Sequence, residues 1–268
     1  GNTAIGYRAL KVQDGGAEVE NTAIGKGAGQ AIDLGRENVL VGANVGDALD
    51  HADFNVAMGN GALGADVKGH KSTAIGYATL NAQSFSSSTD SNNTAVGYFA
   101  GVAITTGVSN TLIGGLAGDA LTDADENTAL GVVALSSDTQ GSKSTAIGKG
   151  ALSTQNFTSA TDSNNTAVGY HAGVSVTTGV NNTLIGSVAG DGIGAGGNNT
   201  AVGKGALGGS VGNGNYNTCI GSDAGLVTTG SQNCFVGGYD PSTGGSGELV
   251  TTGSKNTILG SYNGNQSG

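Results

Sequence analysis

The chain has no tryptophan, one proline, two cysteines and three histidines in 268 residues, and aromatic side chains make up only 4% of it. A globular enzyme of this length would hold a thick core of Leu, Phe and Trp, so the shortage of large side chains argues against one. Lys and Arg number 10 against 20 Asp and Glu, a net charge of −10 that disfavours nucleic acid and anionic membrane as partners. No signal peptide is visible, nor an apolar run long enough to span a membrane, so no membrane insertion is expected. Two cysteines do not establish a redox compartment.

What the chain has is glycine, 52 residues of it, in fixed phase with small apolar residues. Asn-Thr-Ala-Ile-Gly begins at Asn2 and recurs with close variants at Asn21, Asn38, Asn55, Ser72, Asn93, Asn110, Asn127, Ser144, Asn165, Asn182, Asn199, Asn217, Asn233 and Asn256. The commonest step is 17 residues, with 21-residue steps before Asn93 and Asn165. A disordered Gly-rich chain would keep no such phase. A near-constant period carried from end to end marks a solenoid with one coil per repeat. The reading is all-β: a parallel β-solenoid of about 15 coils, a single repetitive domain over residues 1–268, roughly 70 Å long at ~4.8 Å per coil.

Within the motif, position two is Thr in twelve copies, position four is always apolar and position five is always Gly. Alternation along a strand puts positions two and four on one face and position three on the other. The β-branched pair is expected to form the aliphatic ladder inside the coil. The opening Asn suits a turn, and the closing Gly suggests positive φ or a close backbone approach. Position three is Ala in nine copies, Leu at Leu40, Leu112 and Leu184, and never polar. An outward face so free of polar residues is expected to be covered, most simply by another copy of the chain.

A longer period overlies the first. Asp90–Thr111 and Asp162–Thr183 agree at 18 of 22 positions, 72 residues apart, so four coils form one super-repeat. Residues four after the motif Gly keep this frame: Leu63, Leu80, Gly101 and Gly118, then Leu135, Leu152, Gly173 and Gly190. The extra residues of the long steps, Ser84–Asn92 and Asn156–Asn164, are expected to bulge as polar loops. Thr-Thr-Gly at Thr105, Thr177, Thr228 and Thr251 reads as a second strand or turn.

From Asn2 to Gly260 these repeats resemble the head repeats of trimeric autotransporter adhesins, and similar repeats occur in bacteriophage tail fibres. The resemblance implies a left-handed β-roll and a homotrimeric fibre, with Thr3 and Ile5 facing the roll interior and Ala4 the trimer axis. The 17-residue period is longer than the adhesin type, and no stalk, neck or anchor follows, so the chain reads as a segment of a longer fibre. The function implied is structural: a rigid extracellular rod, on a virion tail or a bacterial cell surface, that supports attachment to a host-cell glycan or protein receptor.

Catalytic chemistry has little to build on. His51, His70 and His171 are scattered, and no P-loop is present. A glycan-cleaving tailspike would need paired carboxylates over one groove, whereas the acidic residues gather in turns at Asp47, Asp50 and Asp53 and at Asp119, Asp123, Asp125 and Glu126. Calcium in the Asp119–Glu126 stretch is the only metal reading, and its spacing matches neither an EF-hand nor a nonapeptide calcium repeat. No catalytic, cofactor or metal residue is assigned. Cys219 and Cys234 stand at positions three and two, facing opposite ways, which argues against a disulfide. Tyr7, Tyr77, Tyr98 and Tyr170 are expected to pack over the next coil's corner. Flat solenoid faces with regular Thr can bind ice, but a Thr directed inward argues against that activity here.

Overall fold

The computed structural model describes residues 1–14, 19–209, 212–242 and 244–264. It is a parallel β-solenoid with no helix among these residues. The chain divides into two compact units, Gly1–Val132 and Val133–Gly268.

In the first unit, β1 (Thr3–Ile5), β2 (Thr22–Ile24), β3 (Val39–Val41), β4 (Val56–Met58), β5 (Gly69–His70), β6 (Thr73–Ile75), β7 (Thr89–Asp90), β8 (Thr94–Val96), β9 (Thr111–Ile113) and β10 (Thr128–Leu130) follow in order. The eight three-residue strands pair in parallel, motif position on motif position, and enclose seven complete turns. The second unit repeats the plan with β11 (Gly141–Ser142), β12 (Thr145–Ile147), β13 (Thr161–Asp162), β14 (Thr166–Val168), β15 (Thr183–Ile185), β16 (Thr200–Val202), β17 (Thr218–Ile220), β18 (Cys234–Val236) and β19 (Thr257–Leu259). Its seven rungs enclose six turns.

Position three, not positions two and four, fills the coil. Ala23, Ala57, Ala74, Ala95 and Ala129 in the first unit, and Ala146, Ala167 and Ala201 in the second, are wholly buried. They face a second buried column three residues after the motif Gly, including Ala28, Ala62, Ala100, Ala151 and Ala206. Ile32, Leu49, Ile104, Leu121 and Val176 close the far corner. The expectation that Thr3 and Ile5 line the interior and Ala4 faces outward is therefore corrected. Each strand turns one residue into the coil, mostly Ala or, where the facing corners are Gly, Leu, and alternation then sends the β-branched neighbours on either side out.

The super-repeat follows from the same volume. Leu40, Leu112 and Leu184 stand where the corner residues of their own and the preceding coil are glycine. A Cβ on Gly101 would lie 2.7 Å from Leu112 Cδ1, and one on Gly118 2.8 Å from Leu112 Cδ2. Gly173 and Gly190 crowd Leu184 in the same way. At Ala57 and Ala129 the same coil's corner carries a buried Leu, Leu63 and Leu135, whereas Ala23, Ala95 and Ala167 share their coils with the corner glycines Gly29, Gly101 and Gly173, which make room for the next coil's Leu. Large and small thus exchange between two inward sites.

The motif Gly behaves as expected. All fifteen have positive φ, from 107° to 155°, and within each unit they stack backbone on backbone. The opening Asn does not form the turn itself. The left-handed residue falls one place earlier in fourteen copies, at Glu37, Phe54 and Lys71 among others, and the Asn side chain points inward. There it forms a buried polar ladder. Asn38 N and Nδ2 donate to Asn21 Oδ1 at 2.9 and 3.0 Å, Nδ2 also donates to Ala52 O at 2.8 Å, and Asn38 Oδ1 accepts from Asn55 N at 3.0 Å. Each buried amide is satisfied by its neighbours above and below.

Ser72 and Ser144 interrupt the ladder, and the longer coils after them repair it. Gln83 Nε2 donates to Ser72 Oγ at 2.9 Å and to buried Asp66 Oδ2 at 2.6 Å, while Asn93 Nδ2 donates to Gln83 Oε1 at 2.9 Å. Gln155, Ser144, Asp138 and Asn165 reproduce the set in the second unit. The extra residues are thus only partly the polar loops expected. Phe85 and Phe157 are buried, and the segments fold back so that β5 pairs β7 and β11 pairs β13. Exposed Lys71–Asp90 and Lys143–Asp162 pairs lie beside them and contribute little. Thr105 and Thr177 lie in bends, not strands.

Candidate functional site

With position three inside, each ladder presents positions two and four outward as two parallel columns. In the first unit Thr3, Thr22, Val39, Val56, Thr73, Thr94, Thr111 and Thr128 run beside Ile5, Ile24, Val41, Met58, Ile75, Val96, Ile113 and Leu130. In the second, Thr145, Thr166, Thr183, Thr200 and Thr218 are consecutive rungs beside Ile147, Val168, Ile185, Val202 and Ile220. Ile5 is 59% exposed, Met58 44% and Ile185 40%, so the aliphatic column is open to solvent. Neither column carries a charged or aromatic side chain. Among the described residues no motif Thr hydroxyl has a hydrogen-bond partner within the chain.

The pairing registers make the face a grid. Rungs lie ~4.8 Å apart along the stack, and positions two and four are separated by about 6.6 Å along the strand. β-Branched side chains are stiff at χ1, so the methyls and hydroxyls are ordered before anything binds.

The other groups singled out in the sequence are not brought together. His51 Nδ1 lies 2.6 Å from Asp50 Oδ2 at the surface. His70 is buried, its Nδ1 accepting from Asp53 N at 2.9 Å and its Nε2 2.7 Å from Ser88 Oγ. His171 stacks on Tyr170 with centroids 4.0 Å apart. In the calcium candidate stretch, Asp123 Oδ1 accepts from the Thr105 and Thr106 hydroxyls and Asp125 Oδ1 from Val108 N, so the coil's own donors occupy these oxygens. No group of three or more His, Cys, Asp or Glu among the described residues is placed to hold a metal ion. Burial raises the carboxyls of Asp47, Asp119 and Asp191 above their ordinary range, opposed in part by a backbone hydrogen bond. Tyr77 stacks on Tyr98 one coil on, at 5.7 Å with Phe99 edge-on to both, yet about half of each tyrosine remains exposed.

Cys219 and Cys234 are free thiols on opposite faces, as alternation required: Cys219 is buried at position three and Cys234 stands in the outward column. Burial, and to a lesser extent the neighbouring Cys234, pushes the Cys219 thiol from 9.0 up to about 12. In the native protein an aromatic disulfide reagent should label Cys234 alone, with Cys219 labelled only on unfolding. Because the folded pKa lies above the unfolded one, this contribution to stability is complete below pH 9 and is lost as pH rises toward 12. Cys219→Ala should remove that part of the alkaline slope in denaturant titrations. Equal native labelling of both thiols would contradict the face assignment.

The outward face was missed because strand alternation fixes which residues share a face but not which face is inside. A usable signal was present: Leu at position three coincides with Gly four residues after the motif Gly, at Leu40 and Gly46, Leu112 and Gly118, and Leu184 and Gly190. Such size exchange belongs to two positions sharing one interior. The chain matches no protein-family profile, no curated protein and no solved structure. No helix among the described residues is long and apolar enough to cross a membrane.

Proposed function

We propose that this chain is a structural rod segment of an extracellular fibre, on a virion tail or a cell surface, whose outward Thr/aliphatic face is its attachment surface. The observation that carries this reading is the face itself: two uncharged columns repeated in register along each ladder. Behind it stands an interior that one chain completes alone, through buried Ala and Leu and the Asn ladder. Repetition suits attachment, since many weak identical contacts on one stiff support give avidity. The scattered histidines, and the turn carboxylates of Asp123 and Asp125 that are bonded within the coil, support a non-enzymatic role.

A second reading is favoured by the exposed aliphatic column. In a left-handed, homotrimeric fibre, which the sequence resemblance implies, copies would meet through this face, because the Ala/Leu face is consumed inside each coil. Solvent-facing Ile113, Leu130, Ile185 and Ile220 could supply apolar contact there. Light scattering over a dilution series separates the two. A constant mass near 25.8 kDa is expected for a free attachment face, and three times that mass assigns the face to assembly.

A further inference from the structure

The ligand class of this face can be argued from its chemistry. Protein interfaces are anchored by Tyr, Trp and Arg in central pockets, and Thr is poor in such roles. Both columns lack every one of those anchors and repeat similar side chains from rung to rung. A glycan would ask for aromatic platforms or convergent polar groups, and neither column holds them. The face offers instead a rigid grid of methyls and unpartnered hydroxyls, ~4.8 Å by about 6.6 Å. A partner that fits it must be repetitive on the same scale, uncharged and able both to donate and to accept hydrogen bonds at the Thr oxygen.

Building on the reading of this face as an attachment surface, we propose that its ligand is crystalline water: the Thr/aliphatic columns bind ice. The grid lies close to the oxygen repeats along and across a prism face of hexagonal ice. Thr hydroxyls can join the lattice, while the Thr, Ile and Val methyls sit in the hollows between water cages. The uncharged columns matter, because a Lys or Asp would hold its own hydration shell against the lattice. The objection from the sequence, that Thr points inward, is removed by the buried position-three column. The runs Thr73–Thr94–Thr111–Thr128 and Thr145–Thr166–Thr183–Thr200–Thr218 are uninterrupted stretches of Thr in register and would carry most of the binding.

The test is thermal hysteresis and ice-crystal shape with the purified chain, alongside its mass in solution. The wild type is expected to be a 25.8 kDa monomer that holds growing ice below its melting point and facets the crystals. Thr111→Lys with Thr183→Lys should lower the hysteresis several-fold while leaving the circular dichroism unchanged. Thr111→Ser with Thr183→Ser, which removes only two methyls, should give a smaller fall and guards against misfolding of the first variant. Thr158→Lys, on an exposed loop away from the columns, should leave it unchanged. A monomer without hysteresis overturns the ice proposal. So does a trimeric mass with Cys234 shielded from labelling, which assigns the face to copies of the chain and leaves the structural rod intact. Labelling of Cys219 in the native state would instead overturn the rod itself.

Discussion

Asn182→Ala is expected to lower the unfolding free energy by about 3–5 kcal/mol, far more than the truncation of one polar side chain at a surface. Asn182 is 1% exposed. Its Oδ1 accepts from Asn199 N at 3.0 Å and from Asn199 Nδ2 at 3.1 Å, and its Nδ2 donates to Gly196 O at 2.9 Å and to Asn165 Oδ1 at 3.2 Å. Truncation strands the Asn199 N–H and the Gly196 carbonyl in a water-free interior, at about 1–3 kcal/mol each. Asn182→Ser should not rescue the loss. Ser is tolerated at Ser72 and Ser144 only because Gln83 and Gln155 reach in from a longer coil, and the coil at Asn182 has no equivalent. Asn182→Asp keeps the acceptor but sets a carboxylate oxygen against the Gly196 carbonyl. The protonated form restores a donor there, so that variant's deficit should shrink as pH falls. Urea titrations of the three variants at neutral and acid pH check each point. An Asn182→Ala loss below about 1 kcal/mol would mean that water enters the ladder.

Gly97→Ala is expected to be comparably damaging for a purely geometric reason. Gly97 has φ of +140°, a region closed to residues with a Cβ, and an added Cβ would lie 2.5 Å from Gly114 O and 2.6 Å from Gly114 C on the next rung. Backbone strain and steric overlap each cost about 1–3 kcal/mol, and the stacked coils cannot spread without breaking the ladder bonds on both sides. The gain from a stiffer unfolded chain, about 0.4–1 kcal/mol, does not offset this. By contrast Gly115→Ala, whose Cβ meets nothing within 4 Å, should be close to neutral. Parallel thermal melts of the two variants give the comparison directly. Equal melting temperatures would refute the stacking account.

Together these results would separate the chain's two means of stability. The Asn ladder stabilises the interior through satisfied polar groups, whereas the glycine column allows the backbones to approach. Neither involves the outward columns, which is why face substitutions such as Thr183→Lys leave the fold alone. Stability is thus carried by the inward face of the three-residue strands, and the attachment proposed for this chain would use the opposite one.

The sequence by itself determined the solenoid: the 17-residue period, the motif strand, the conserved phase of positive-φ glycine and the opposed placement of Cys219 and Cys234 are all local consequences of spacing and backbone sterics. It also carried the four-coil super-repeat, although not its reason. What only the tertiary structure decided was which side of the strand is inside. Alternation relates Thr94 to Val96 and opposes both to Ala95, but it is silent on the radius of the coil. Closure of the coil buries Ala95 together with Ala100, and alternation then turns Thr94 and Val96 outward. The buried role of the opening Asn was hidden for the same reason. Most of its partners lie 13 to 23 residues away on neighbouring coils, and only stacking brings a side chain suited to a turn against the carbonyls it satisfies.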